Sequence, residues 1–192
     1  IRAGGSAAVL GGWDREFVNL AEHVDSIRSS MVDVLNLAVE ELGEMLLGST
    51  VTLEYQRGWP GNKDLAESLK ATAERDIELG STQMGPHRGD LRIIFDERRA
   101  RKFVSRGQQK LLACCLVIAA TEMVQTHLEK PLLVLVDDPT AELDAKSVER
   151  LMICIENLGC QVIATTLNSA VGIFSSAPKL FHVEHGSVVN DV

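Results

Sequence analysis

Residues 107–166 limit the possible folds of this chain more than any other part of it. GQQKLLACCLVIAATEMVQTHLEK (107–130) has the length and spacing of a long, strongly apolar helix buried on most sides, and Pro131 stops it. LLVLV (132–136) is a short aliphatic run closed by two adjacent aspartates, the profile of a buried strand. A helical stretch near Lys146–Asn157 and a second apolar strand, Gln161–Thr165, come next. Strand, helix, strand at these lengths predicts a parallel α/β layer, because parallel strands need a crossover that packs back on the sheet.

Upstream the pattern differs. Residues 1–12 are rich in Gly and Ala and read as a loop. From Trp13 to about Leu47 apolar residues recur at steps of three and four: Phe17, Leu20, Val24, Ile27, Met31, Val34, Ala38. That seam suits coiled-coil packing against another long helix, upstream of Ile1 or at 63–79; an amphipathic helix lying on a globular core gives the same pattern. STVTLEYQ (49–56) alternates as a strand, RGWPGN breaks it, and a second amphipathic helix over 63–79 ends at Gly80. DLRIIFDERRARKFV reads as a hairpin with arms Leu91–Phe95 and Lys102–Val104. A short helix near 168–175 and a last hairpin over Leu180–Val189 complete the chain. The change of character puts a boundary near Gly80, with a helical arm over 1–80 and an α/β lobe over 81–192.

Composition supports a globular protein, with 45% apolar and 24% charged residues, enough for a sizeable core. Cys114, Cys115, Cys154 and Cys160 lie in or beside apolar runs without a C-x-x-C, so they read as reduced thiols of a cytoplasmic protein. No signal peptide is visible and no apolar run reaches the roughly 18 residues needed to span a membrane. The chain begins at Ile1 rather than Met, which suggests further sequence before it. A net charge of −8 argues against a uniformly basic nucleic-acid surface. Residues 86–110 nevertheless hold eight basic residues against three acidic ones (8 − 3 = +5), which suits either a phosphate-facing patch or a solvated hairpin.

Three short motifs carry chemistry. Ser105-Arg106-Gly107-Gln108 stands at the start of the long helix, where a hydroxyl and free backbone N–H groups meet the positive end of the helix dipole. An N-cap serine followed by glycine has the same spelling. Asp137 follows the strand at its carboxyl end, where α/β sheets bind ligands, and a carboxylate there suits Mg²⁺ held through water. Asp138 is placed to orient or deprotonate a water; an aspartate capping the next helix is the alternative. TAELD (140–144) follows at once. No G-x-x-x-x-G-K-[ST] phosphate loop occurs in the 192 residues.

In this order the three resemble the signature motif, Walker B strand and D-loop of the ATP-binding-cassette (ABC) ATPases. GPHRGDLRI (85–93), SRGQ (105–108), the Asp-Asp pair, YQRGW (55–59) and ERD (74–76) narrow the resemblance to the RecF family, SMC-like ATPases of DNA repair. It covers the chain from Trp13 onward as a carboxyl-terminal half: the second lobe of an ABC-type ATPase head plus a coiled-coil-like arm from the RecF-like second domain. Walker A belongs to the other half of such a head, so this chain alone is expected to be inactive.

The resemblance implies that Ser105, Arg106, Gly107 and Gln108 contact ATP bound to a second subunit, that Asp137 serves Mg²⁺, and that Asp138 is catalytic. Asp144 would belong to the D-loop, and Thr165 and Thr166 would stand where transporters keep a switch histidine. Gly89 departs slightly from the family pattern. It further implies an ATP-dependent homodimer on DNA near single-strand gaps, slow hydrolysis, and work with RecR, RecO and RecA, in the cytoplasm and away from membranes. Arg98, Arg99, Arg101 and Lys102 are the candidate DNA contacts. A transporter nucleotide-binding subunit and a non-catalytic structural piece are the alternatives.

Overall fold

A computed structural model describes residues 7–167, 174–175 and 177–189. The chain divides into two compact units, one up to Glu44 with Gly48–Val104, the other Met45–Leu47 with the residues from Ser105 onward. The division falls between Val104 and Ser105 rather than near Gly80, because the basic hairpin pairs with the strand of the helical arm.

In the first unit, helix α1 (Ala7–Leu47) starts within the segment expected to be a loop. Strand β1 (Val51–Gln56) follows, then helix α2 (Leu65–Leu79), capped by Asp64 at its start and by Gly80 in the left-handed region at its end. Strand β2 (Asp90–Phe95) pairs antiparallel with β1 from Val51↔Phe95 to Gln56↔Asp90. It turns at once into β3, which is only Arg98–Arg99. Asp96 and Glu97 both take positive φ, the two-residue turn that matches strand twist, so the second arm is not Lys102–Val104 as expected. Ala100–Lys102 instead form a single 3-10 turn.

The α1 seam meets α2 at its start, where Phe17 packs against the cluster that holds Leu65 and Leu69, but not along its length. Leu20, Ile27, Met31 and Val34 are exposed, and the buried stripe is Ala21, Val32, Val39 and Leu42. Ala21 packs with Trp59, Leu65 and Leu69. Asn36, lower on the same helix, lies against the free side of β1. Its amide donates to the Leu53 carbonyl at 3.0 Å and its oxygen accepts the Leu53 N–H at 2.6 Å. YQRGW and GPHRGD come together here. Gly85 N–H donates to the Gly58 carbonyl, and a Cβ on Gly58 would lie 2.2 Å from the Gly85 oxygen. Only glycine fits that approach. The Arg57 guanidinium lies 4.3 Å from the Trp59 ring centroid, and Arg28 donates to the Pro86 carbonyl at 2.7 Å.

The second unit is built on helix α3 (Arg106–Leu128), strand β4 (Leu133–Val136), helix α4 (Ala145–Asn157) and strand β5 (Gln161–Ala164). β4 and β5 pair in parallel from Leu133↔Gln161 to Val136↔Ala164, the expected α/β crossover. Leu111, Leu112, Cys115, Ile118 and Ala119 of α3 are buried, as are Val148, Leu151, Met152, Cys154 and Ile155 of α4. Gln125 ties the layer together: it donates to the Leu158 carbonyl and accepts from the Leu132 N–H. Burial, with the Cys154 and Cys114 thiols adding, pushes the Cys115 thiol up to about 12, so it stays protonated and unreactive at neutral pH.

Three expectations are corrected here. α3 is 23 residues long and contains an 18-residue window with a mean hydropathy of 1.6, enough by length and composition to cross a bilayer. A helix inside a layered core passes the same test, and its buried residues are those that meet the rest of this unit. Nor is it buried on most sides: Val117 is exposed, as are Leu133 and Leu135 of β4 and Ile163 of β5. β4 therefore shows one bare apolar face and is not the fully buried strand its composition predicts, while the exposed face of β5 mixes Gln161 with Ile163. A short antiparallel pair, β6 (His182–Glu184) with β7 (Ser187–Val189), closes the described chain. The helix expected near 168–175 lies largely outside the described residues.

Candidate functional site

The start of α3 is shaped by its own side chains. Ser105 takes an extended conformation as N-cap, and its hydroxyl accepts the Gln108 N–H at 3.3 Å. The Gln108 side chain in turn accepts the Ser105 N–H at 2.8 Å. This reciprocal capping box satisfies the Gln108 N–H and leaves the Arg106 and Gly107 N–H groups of the first turn without intrahelical partners. Arg106 is exposed beside them. A Cβ on Gly107 would meet only the Glu142 carbonyl, at an ordinary 3.7 Å. Nothing within this unit requires glycine there.

The turn after β4 gathers the acidic residues. Thr165 N–H donates to the Val136 carbonyl at 2.9 Å, extending the parallel pairing one step past β5. That places the Thr165 hydroxyl between the two aspartates. It donates to Asp137 Oδ1 at 2.6 Å and accepts the Asp138 N–H at 3.1 Å. Asp138 has a φ of +41°, so the backbone reverses there while Pro139 is fully buried. A short polar residue tolerates that conformation better than a branched one. Thr140 Oγ1 donates to Asp138 Oδ1 at 2.7 Å. Asp137 is exposed and Asp138 half-buried.

The chain then reaches Asp144, the N-cap of α4, whose two carboxylate oxygens accept the Ser147 N–H at 3.0 Å and the Ser147 hydroxyl at 2.8 Å. Those bonds favour the ionised form and hold its carboxyl below the usual aspartate range. Ser105, Gly107, Gln108, Asp144 and Arg150 line one open cleft of about 260 Å³ within this unit. The signature-like turn and the D-loop-like segment therefore share a surface, with the start of α3 facing into it.

Asp137 and Asp138 offer hard oxygen donors, and the Thr165 hydroxyl adds a third. Among the described residues no group of three His, Cys, Asp or Glu side chains forms a metal cage. The donor set fits Mg²⁺, which keeps several waters and binds through one or two carboxylates and substrate phosphates. Thr166 is half-buried at the next position. Arg98, Arg99, Arg101 and Lys102 belong to the first unit and are exposed, with the Arg98 guanidinium 5.4 Å from the Phe103 ring centroid. The sequence motifs do not single out Lys110, Ser147 or Arg150. The signal for Lys110 was its position, a cation soon after the cap of an otherwise apolar helix.

No protein-family model matches the chain. It is 37% identical over 192 residues to the DNA replication and repair protein RecF of Shewanella baltica (strain OS185), a match covering 98% of this chain and 53% of that protein. It is 39% identical over 181 residues to RecF of Pseudomonas aeruginosa (strain LESB58), covering 92% and 49%. The chain thus spans about half the length of the curated relatives it matches. Among solved structures it resembles the recombination mediator protein RecF of the RecFOR pathway in an ATPrS form, with a TM-score of 0.76, 21% identity, and coverage of 97% of this chain and 52% of that one. RecF with ATP superposes with a TM-score of 0.75 at 22% identity, covering 88% and 48%. The fold is that of the carboxyl-terminal lobe of an ABC-type ATPase head, with its helical arm.

Proposed function

We propose that this chain, which corresponds to the carboxyl-terminal half of the RecF family, supplies one side of a composite ATP site in a DNA-repair ATPase. The observation that carries the reading is the shared cleft, with Ser105, Gly107 and Gln108 on one wall and Asp144 on another. A helix start with open N–H groups favours an anion, and Gly107 keeps its approach free of a side chain. The γ-phosphate of ATP held by a second subunit is the anion of the right chemistry, so ATP closes a homodimer.

Asp137 would hold Mg²⁺ and Asp138 would orient the attacking water. When bound, Mg²⁺ neutralises charge on the β- and γ-phosphates. Thr165 positions both aspartates through its hydroxyl but brings no positive charge to the phosphate. With an aspartate one methylene shorter than glutamate at 138, hydrolysis is slow. It serves as a timer on a clamp around duplex DNA near a single-strand gap. RecR and RecO, and through them RecA, are the partners this reading implies, in the cytoplasm.

The test uses the full-length protein with ATP and a gapped duplex, following mass by light scattering. The wild type is expected to dimerise with ATP, and Ser105→Arg, which fills the cleft with a long cation, is expected to lose at least tenfold in dimer affinity. A Ser105→Arg protein that dimerises normally rules out contact across the interface. Reversing Arg98, Arg99 and Arg101 to Glu is expected to weaken duplex binding tenfold or more at low salt and to flatten its salt dependence. Unchanged affinity removes the hairpin as the DNA contact.

A further inference from the structure

We propose that Lys110 is a positioning residue that locks the Asp138 turn to the start of α3, so that the two faces of the composite site move as one body. The inference rests on the reading above and adds a residue that neither motif spelling contains.

Lys110 is half-buried, five positions after the Ser105 cap. Its ammonium donates to the Ala141 carbonyl at 2.6 Å and to the Asp138 carbonyl at 3.4 Å. The Ala141 N–H donates back to the same Asp138 carbonyl at 3.1 Å. One cation therefore holds both ends of the four-residue turn 138–141. That turn reverses at a positive φ and continues into Glu142, which also has positive φ, at 65°. Such backbone conformations persist only where the surroundings over-determine them. Here the determinants are Thr165 and Thr140 on the Asp138 side, and Lys110 from α3.

The arrangement has a mechanical meaning. α3 presents Ser105 and Gly107 to a phosphate across the interface, while the Asp138 turn serves the phosphate in this subunit. A helix is stiff over five residues, so a shift at its start reaches the Asp138 carbonyl through the Lys110 ammonium. Lys110 does not touch ATP in this arrangement; it sets where Asp138 points. Misplacing a catalytic group by about 1 Å costs on the order of a hundredfold in rate. Losing the clamp is therefore expected to reduce hydrolysis more than binding.

The experiment compares wild type, Lys110→Met and Lys110→Arg in the full-length protein, measuring ATP-dependent dimer affinity, KM for ATP, single-turnover hydrolysis and thermal melting. Lys110→Met keeps the stem but no donor. It is expected to keep dimer affinity and KM within threefold of wild type and to lose tenfold or more in hydrolysis rate. Lys110→Arg, whose fork can reach two carbonyls, is expected to recover most of that loss. Three results would overturn the proposal: hydrolysis of Lys110→Met within twofold of wild type, no recovery in Lys110→Arg, or parallel losses in dimerisation, hydrolysis and melting. A wild type that fails to dimerise with ATP instead overturns the composite-site reading beneath it.

Discussion

Asp138→Asn in the full-length protein is expected to slow ATP hydrolysis by about 10²- to 10⁴-fold, the range for a lost general base, while the ATP-bound dimer still forms. The substitution is close to isosteric. An asparagine oxygen still accepts from Thr140, whose hydroxyl lies 2.7 Å from Asp138 Oδ1. Asparagine also tolerates a φ of +41°, so the turn and its bond to the Thr165 hydroxyl survive. What disappears is the negative charge that draws a proton from water. Dimer lifetime, followed by light scattering after ATP is diluted away, is expected to lengthen as the single-turnover rate falls. Hydrolysis within threefold of wild type would show that the water is activated elsewhere.

Leu151→Ala is expected to cost about 2–5 kcal/mol, the range for truncating a fully buried leucine. Leu151 is 1% exposed in α4, with Val148, Met152 and Ile155 buried around it. The helix it seats begins at Asp144, so loosening α4 also loosens one wall of the cleft. Because the chain forms two compact units, the loss is expected to be local. Hydrogen exchange read by mass spectrometry should show α3 and α4 losing protection while β1 and β2 keep theirs. Uniform loss across both units would mean that they unfold as one.

The order of elements in the second unit was legible because long apolar periodicity and punctuation by Pro131 and Asp137-Asp138 leave few alternatives. The candidate site motifs could be proposed for a related reason: they are defined by residue type and spacing along one continuous stretch. Burial was not legible in the same way. A run such as LLVLV has no polar residue to mark a face, so nothing in it says that Leu133 and Leu135 stand open while Val134 and Val136 are half-covered. The α1 pattern misled similarly, since two overlapping apolar stripes fit one helix and the buried one runs through Ala21, Val32 and Val39. The hairpin arm was misplaced because Asp96-Glu97 lacks the glycine that usually announces such a turn. Lys110 was hidden because its partners are backbone carbonyls about thirty residues away, which no side-chain pattern encodes.

The Asn36 amide on β1 bears on how this protein can assemble. In the sheet β1-β2-β3, β1 is an edge, and an open edge is a template on which another copy can add a strand. Asn36 fills that template at Leu53 with one donor and one acceptor, and its amide, anchored in a helix, has no strand behind it to continue the ladder. Lateral growth toward swapped dimers or fibrils is stopped there by a single side chain.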